Sequence, residues 1–453
     1  MKKQKFLIYS IIFALLWVTG CAGMDVDSIP MPKVEPIPAA LFDPDRESKT
    51  DPLTVEGFEE DREDSSEMVS DALEEETSGS EEAEAEGEDL IEGEELAENF
   101  DEDFNVFDVN SKNVKILGRG HTIDKALWIS HSATGIEFNY TDATAVVIYL
   151  EGDKSATEGS DSSKAKYSVI LNGEIIKTER MSAASKKVVI DTNGVKNGYV
   201  SLLKCSESQE SSLGIRCVKT DGKIVPTPQR SLNIQFIGDS ITCGYGVEGS
   251  YGDEFSTSNE NALKAYAYLT AKELNADYSL VSFSGYGVVS GYTYEQGNKK
   301  SNTLVMNFYD RLGNSDYDLP NGKKTGDISW KCKKEKFDIV VINLGTNDYS
   351  YTGNNEDRRS EFRDAYVRML RTVRDNNPNA VIVCTLGVMG QELCPDMQLA
   401  IEQYQQATGD TKIHDFIFDV QESGDGLAVD GHPTATTHQK MAARLSDFLR
   451  NLI

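Results

Sequence analysis

The stretch Asn233-Ile-Gln-Phe-Ile-Gly-Asp-Ser-Ile-Thr-Cys-Gly-Tyr-Gly246 constrains this chain more than any other. Ile234, Phe236 and Ile237 make a short apolar run of the kind that forms a buried strand, and it stops at Gly238 with polar Asp239 and Ser240 next. In an open parallel sheet, ligands bind at the carboxyl ends of the strands. A serine at that place presents its hydroxyl at the mouth of a crevice. Gly-Asp-Ser alone is also an ordinary turn sequence, so the weight falls on what accompanies it downstream.

After Pro226-Thr-Pro228 the pattern alternates. Strand runs at 233–238, 278–283, 338–344, 380–386 and 413–418 are separated or followed by helix candidates at 262–274, 357–374, 396–406 and 435–452. That alternation predicts an α/β domain over 231–453, a parallel sheet wrapped by helices, and about 220 residues suffice for a core of its own. Three further stretches fall where such a domain places chemistry: Val281-Ser-Phe-Ser-Gly-Tyr-Gly287, Val340-Val-Ile-Asn-Leu-Gly-Thr-Asn-Asp348 and Val429-Asp-Gly-His-Pro-Thr434. Together they supply what acyl transfer requires. Ser240 is the expected nucleophile and His432 the base that takes its proton. The N–H groups of Ser240 and Gly285, with the Asn347 amide, are the expected oxyanion donors.

These four blocks resemble the SGNH (GDSL-type) hydrolase superfamily, in family order and each after a strand or before a helix. The resemblance implies a flavodoxin-like fold around a five-stranded parallel sheet. From about Val114 to Ile453 the chain is more closely similar to carbohydrate esterase family 2, through Leu117-Gly-Arg119, Phe236 to Gly246, Tyr309-Asp-Arg311 and Val341 to Asp348. That family carries a jelly roll ahead of the hydrolase domain. It removes O-acetyl groups from plant polysaccharides such as xylan and glucomannan, without metal or cofactor. In most SGNH enzymes the triad acid lies three residues before the histidine. Here Val429 holds that position and Asp430 is two before, as in family 2, some of whose members work with a dyad. Whether Asp430 or a main-chain carbonyl orients His432 stays open at this point.

Residues 109–230 read differently. Runs such as 114–117, 135–138, 145–149, 167–171, 187–190 and 199–203 are β-branched and aromatic, with turn signals such as Asn172-Gly173 and Asn193-Gly194 between them. They predict an all-β sandwich, plausibly a jelly roll, in a structural role more than a sugar-binding one.

The N-terminal part is of another kind. Lys2, Lys3 and Lys5 precede an apolar run, Phe6 to Val18, too short to span a bilayer. Val18-Thr-Gly-Cys21 resembles the lipobox of bacterial lipoproteins, which implies a signal over 1–21, lipidation at Cys21 and a place at the cell surface or envelope. Between Glu56 and Asp103 there are 24 acidic residues and one basic, Arg62, in a chain whose net charge is −30. Such a segment buries too little apolar surface to offset chain entropy, so 22–108 is expected to be a disordered acidic spacer. Its sign argues against nucleic acid as a partner.

Several features carry less. Cys205 and Cys217 flank a Ser/Gln/Glu-rich loop and are candidates for pairing across a hairpin; no cysteine spacing resembles a zinc site. Gly244-Tyr-Gly-Val-Glu-Gly249 matches the dinucleotide fingerprint but follows Ser240 and opens no helix, so no nucleotide is expected. No G-x-S-x-G elbow is present. His121, His131, His414 and His438 read as structural. Tyr245, Tyr286, Trp330 and Tyr349, in loops near the expected crevice, are candidate sugar-stacking residues. An apolar-pocket lipase or thioesterase on the same fold is an alternative that these Gly/Tyr/Asn/Ser-rich loops disfavour. A non-catalytic carbohydrate-binding surface protein is another, which intact Ser240, Asn347 and His432 disfavour.

Overall fold

The computed structural model describes residues 100–453. The expected export signal, the expected lipidation site Cys21 and the expected spacer through residue 99 lie outside the described residues.

Twelve strands form the first module: β1 Asn105–Asp108, β2 Lys115–Leu117, β3 Gly120–Ile123, β4 Ala126–Ile129, β5 Gly135–Thr141, β6 Ala145–Gly152, β7 Lys166–Leu171, β8 Glu174–Arg180, β9 Ser185–Asp191, β10 Gly198–Lys204, β11 Leu213–Thr220 and β12 Lys223–Pro226. They make two antiparallel sheets, one ordered β3-β4-β11-β6-β9 with β1 on β11, the other β12-β5-β10-β7-β8 with β2 on β5. Alternation along the strands builds the core between them: in β9, Val188 and Ile190 point inward while Ser185, Lys187 and Asp191 do not. Asn172 and Gly173 both take positive φ, 52° and 96°, as a two-residue hairpin between β7 and β8 demands.

The acidic spacer ends earlier than the composition suggests. Residues 100–108, expected in it, belong to the sandwich. β1 pairs antiparallel with β11. The Asp101 carboxylate, 1 % exposed, accepts the Tyr149 hydroxyl and lies within 3.2 Å of Lys187 and 3.5 Å of Lys219. A single acidic side chain that finds two lysines and a phenol is invisible in a run of 24 carboxylates. Cys205 and Cys217 are also corrected: both are free thiols. Cys205 follows β10 in one sheet, near Ser168 Oγ, and Cys217 sits in β11 of the other.

The second module holds a parallel sheet ordered β14-β13-β15-β16-β17, from β13 Leu232–Gly238, β14 Ala276–Ser282, β15 Ile339–Asn343, β16 Val381–Leu386 and β17 Ile413–Ile417. All five expected strands are present within two residues. In register, Gly238 stands beside Ser282 on one side and Asn343 on the other. Their carboxyl ends therefore form one row, from which the loops to Ser240, Gly285 and Asn347 leave. The helices Glu356–Asn376, Cys394–Thr408 and Ala435–Arg450 match three of the four expected. The fourth breaks: a 3-10 turn Ala262–Lys264 precedes the helix Tyr266–Glu273. Its first N–H, from Tyr266, is capped across the domain by His438 Nδ1 at 3.1 Å, so His438 does structural work as expected.

The modules share one apolar cluster that runs from Leu117, Ala133, Ile170 and Leu203 into Ile234, Phe236 and Tyr278. Ion pairs join at the seam: buried Lys115 meets Glu137 of its own module and Asp277 of the other, and half-buried Arg230 meets the same two carboxylates. Removing one partner of such a pair leaves a buried charge uncompensated.

A chain beginning at Val109 should melt below one beginning at Phe100, by roughly 2–8 °C if the lost strand and Asp101 contacts are worth about 1–2 kcal/mol. Equal midpoints in thermal melts would remove 100–108 from the folded unit.

Candidate active site

The apolar strand β13 ends at Gly238, where a side chain has no room: an added Cβ would lie 2.0 Å from Thr242 Oγ1. Asp239 then caps the four-residue helix Ser240–Cys243, its carboxylate accepting Ile241 N–H at 3.0 Å. Ser240 is thus the first helical residue at the end of a central strand, 4 % exposed. On the far side of the chain, the turn Val429–Gly431 delivers His432 just before the last helix. His432 Nε2 lies 2.8 Å from Ser240 Oγ, and Nδ1 lies 3.1 Å from the Val429 carbonyl. A carbonyl only accepts, so Nδ1 carries the proton and Nε2 receives the serine hydroxyl. Burial holds the imidazole well below its usual range, at about 4, with the Val429 carbonyl opposing. At neutral pH the ring is an unprotonated base.

Asp430 takes a left-handed backbone conformation, φ 56°, and its Oδ2 accepts the Tyr245 hydroxyl at 2.8 Å. Burial raises its pKa, and the Tyr245 bond opposes the rise. Val429, in the usual acid position, is fully buried and packs where Gly246 has no side chain. The glycines of the spurious dinucleotide fingerprint serve this approach, with Gly244 closing the Ser240 helix at φ 75°.

The oxyanion candidates share the same sheet edge. Gly285 sits at φ 76° in the loop after β14. Asn347 lies in the helix Thr346–Thr352 and donates Nδ2 to the Tyr286 carbonyl at 2.9 Å, with Asp239 Oδ2 at 3.4 Å. Behind it the fully buried Asp348 carboxylate gathers the N–H groups of Val288, Val289 and Ser290 at 2.7–3.0 Å. Burial pushes Asp348 up to about 6 despite these bonds, and pushes Asp239 up to about 7, where Asp348 adds to the rise. The sequence named Asn347 but passed over its neighbours Asp348 and Asp239; the signal was their placement at strand ends.

The candidate stacking residues are placed differently. Tyr245 is 3 % exposed, stacked on Phe255 at 4.1 Å between centroids and tilted over the His432 ring at 4.5 Å. Tyr286 is a core residue, packed on Phe283 and Phe308. Trp330 donates to Glu335 and packs beside the buried Arg119 guanidinium. Tyr349 is partly buried against the same core as Tyr286. Tyr245 and Tyr286 are thus packed rings rather than exposed loop aromatics. A tyrosine in a loop and a tyrosine under one look alike in sequence. Among the described residues, Glu207, Cys243 and Glu260 bring possible metal-ligand atoms within 4.8 Å of one another, but the buried Lys204 ammonium already supplies positive charge to that cluster.

Residues 236–440 match the family model of GDSL-like lipases/acylhydrolases. The chain is 30 % identical over 336 residues to a cellulase/esterase, CelE, of Acetivibrio thermocellus, across 72 % of this chain, and spans 37 % of that protein's length. It is 26 % identical to an acetylxylan esterase/glucomannan deacetylase of Cellvibrio japonicus, across 75 % of this chain and 89 % of that one. Among solved structures it is similar to a family two carbohydrate esterase from Clostridium thermocellum in complex with cellohexaose, with a TM-score of 0.64 and 27 % identity over 75 % of this chain and 98 % of that one. The chain is thus similar to the GDSL-like lipases/acylhydrolases over residues 236–440, and its relatives include family 2 carbohydrate esterases.

Proposed function

We propose that this chain is a serine esterase that removes O-acetyl groups from plant polysaccharides of the xylan or glucomannan type. The observation that carries the reading is the Ser240 Oγ–His432 Nε2 contact of 2.8 Å, made by an imidazole whose other nitrogen is anchored on a main-chain carbonyl. Ser240 Oγ attacks the acetyl carbonyl while His432 Nε2 takes its proton. The developing oxyanion is held by the N–H groups of Ser240 and Gly285 and by the Asn347 amide, which exchanges its 3.4 Å contact with Asp239 for it. The carbon–oxygen bond to the sugar then breaks, and His432 returns the proton to the departing hydroxyl. Water, deprotonated by the same imidazole, releases acetate from the acetyl-enzyme.

The substrate class rests on the relatives and on the polar loops around the site. The β-module is read as a jelly roll that supports the hydrolase domain. The lipobox-like Val18-Thr-Gly-Cys21 supports a lipid anchor at Cys21 and an envelope location; among the described residues no helix is long and apolar enough to cross a membrane.

Acetate release from acetylated xylan and acetylated glucomannan, compared with fatty-acid release from long-chain acyl esters, is the test, with preference for the long-chain esters counting against the polysaccharide reading. Ser240→Ala should abolish release without moving the thermal midpoint, and His432→Ala should come close to doing so. Asn347→Ala should lower kcat by about 10²–10³ with little change in KM. Asp430→Asn should cost well under the ~10⁴ seen when a true triad aspartate is lost; equal losses in Asp430→Asn and His432→Ala would make Asp430 a third member.

The pH profile follows from the buried base. A histidine with depressed pKa stays active as pH falls through about 6.5, the ordinary value, and loses activity only through its own pKa. The acid limb of kcat/KM should therefore have its midpoint near about 4. An imidazole of His432 that titrates at about 6–7 by NMR would contradict this; an activity midpoint there would instead report the buried carboxyls of Asp239 and Asp348.

A further inference from the structure

We propose that Glu207, on the sandwich, is a positioning residue of the esterase site, and that the β-module thereby completes the oxyanion hole. The inference rests on the serine-esterase reading above. The loop between β10 and β11 leaves the sandwich and runs beneath the hydrolase sheet edge. Glu207 is 1 % exposed, and its Oε2 accepts the Ser284 N–H at 2.8 Å. Two residues on, Gln209 Nε2 donates to the Ser284 carbonyl at 3.1 Å and to Glu207 Oε2 at 3.2 Å. Both main-chain polar groups of Ser284 are thus held from the other module, and its carbonyl shares a peptide plane with the Gly285 N–H. The same Glu207 oxygen lies 3.8 Å from Cys243 Sγ, on the helix that Ser240 opens.

A second arm of this loop reaches the other donor. Ser208 Oγ accepts the Asn314 N–H at 2.8 Å, Asn314 Nδ2 donates to the Tyr286 hydroxyl at 2.8 Å, and the Tyr286 carbonyl is the group that holds Asn347. The loop is itself fixed. Lys204 Nζ donates to the carbonyls of Ser206 and Glu207, the Glu207 N–H donates to Glu260 Oε2, and Ala262 N–H donates to the Cys205 carbonyl. A carboxylate buried this deeply is costly unless its bonds to the partner module are kept. Those bonds end on the turn whose N–H must meet the oxyanion, where an error of about 1 Å costs on the order of 10²-fold in rate.

The test uses the full chain and three variants, Glu207→Ala, Glu207→Gln and Gln209→Ala, beside Ser240→Ala. The readouts are kcat and KM on an aryl acetate and amide hydrogen exchange over 283–287. Glu207→Ala should lose about 10²-fold in kcat, keep KM within about twofold, and exchange faster at Ser284 and Gly285. Glu207→Gln keeps an oxygen for the Ser284 N–H and should recover about tenfold of that loss. Should Glu207→Ala fail to fold, Gln209→Ala removes the other grip and should lower kcat by roughly 3–10-fold with the same exchange signature. Unchanged kcat in folded variants, or a loss of kcat without faster exchange in 283–287, overturns the proposal alone. Activity surviving in Ser240→Ala overturns the esterase reading and the proposal with it.

Discussion

The site depends on one hydrogen bond that does no chemistry, the one from His432 Nδ1–H to the Val429 carbonyl. In the proposed mechanism it sets the tautomer whose unprotonated Nε2 takes the Ser240 proton, a task a carboxylate performs in a triad. A neutral acceptor stabilises an imidazolium less than a carboxylate does. The compensation lies in burial, which keeps the ring neutral and its basic nitrogen aimed at Oγ. The Tyr245 ring beside the imidazole, tied through its hydroxyl to Asp430, restricts the same ring from one face. Asp430 is thereby linked to the imidazole through an aromatic neighbour.

Around that bond the two modules divide the work. The parallel sheet brings Gly238, Ser282 and Asn343 into one row, so three loops start level. Buried carboxylates then shape each loop: Asp239 starts the Ser240 helix, Asp348 gathers the turn at 288–290, and Glu207 grips Ser284 from the sandwich. Main-chain N–H groups bound to carboxylates are among the stronger hydrogen bonds available. The cost is three acids out of water, all pushed upward in pKa by burial.

β15 and β16 were legible as nearly continuous β-branched and aliphatic runs, and β13, β14 and β17 as shorter apolar runs, all in alternation with helix patterns. Ser240, Gly285, Asn347 and His432 were legible because each follows such a run or precedes a helix. The helix Thr346–Thr352 was not, since Thr-Asn-Asp-Tyr-Ser-Tyr-Thr has no apolar period and is held by the Gly345 turn and Asp348. β8 is an exposed, charged edge strand, and β11 interrupts its apolar pattern with Gly214, Arg216 and Cys217, so neither announced itself. Tyr245, Tyr286 and Glu207 were misread or passed over for one reason. Their roles lie in contacts across about 185, 61 and 77 residues of chain, and no local pattern encodes those distances.

The orientation of the histidine is open to direct measurement. Nitrogen-15 NMR of the His432 ring reports which nitrogen carries the proton and how strongly it is hydrogen-bonded. The account expects a protonated Nδ1 with the shift of a bond to a neutral carbonyl, a pyridine-like Nε2, and the same pattern in Asp430→Asn. A strongly deshielded Nδ1 proton, of the kind a carboxylate partner produces, that disappears in Asp430→Asn would contradict it.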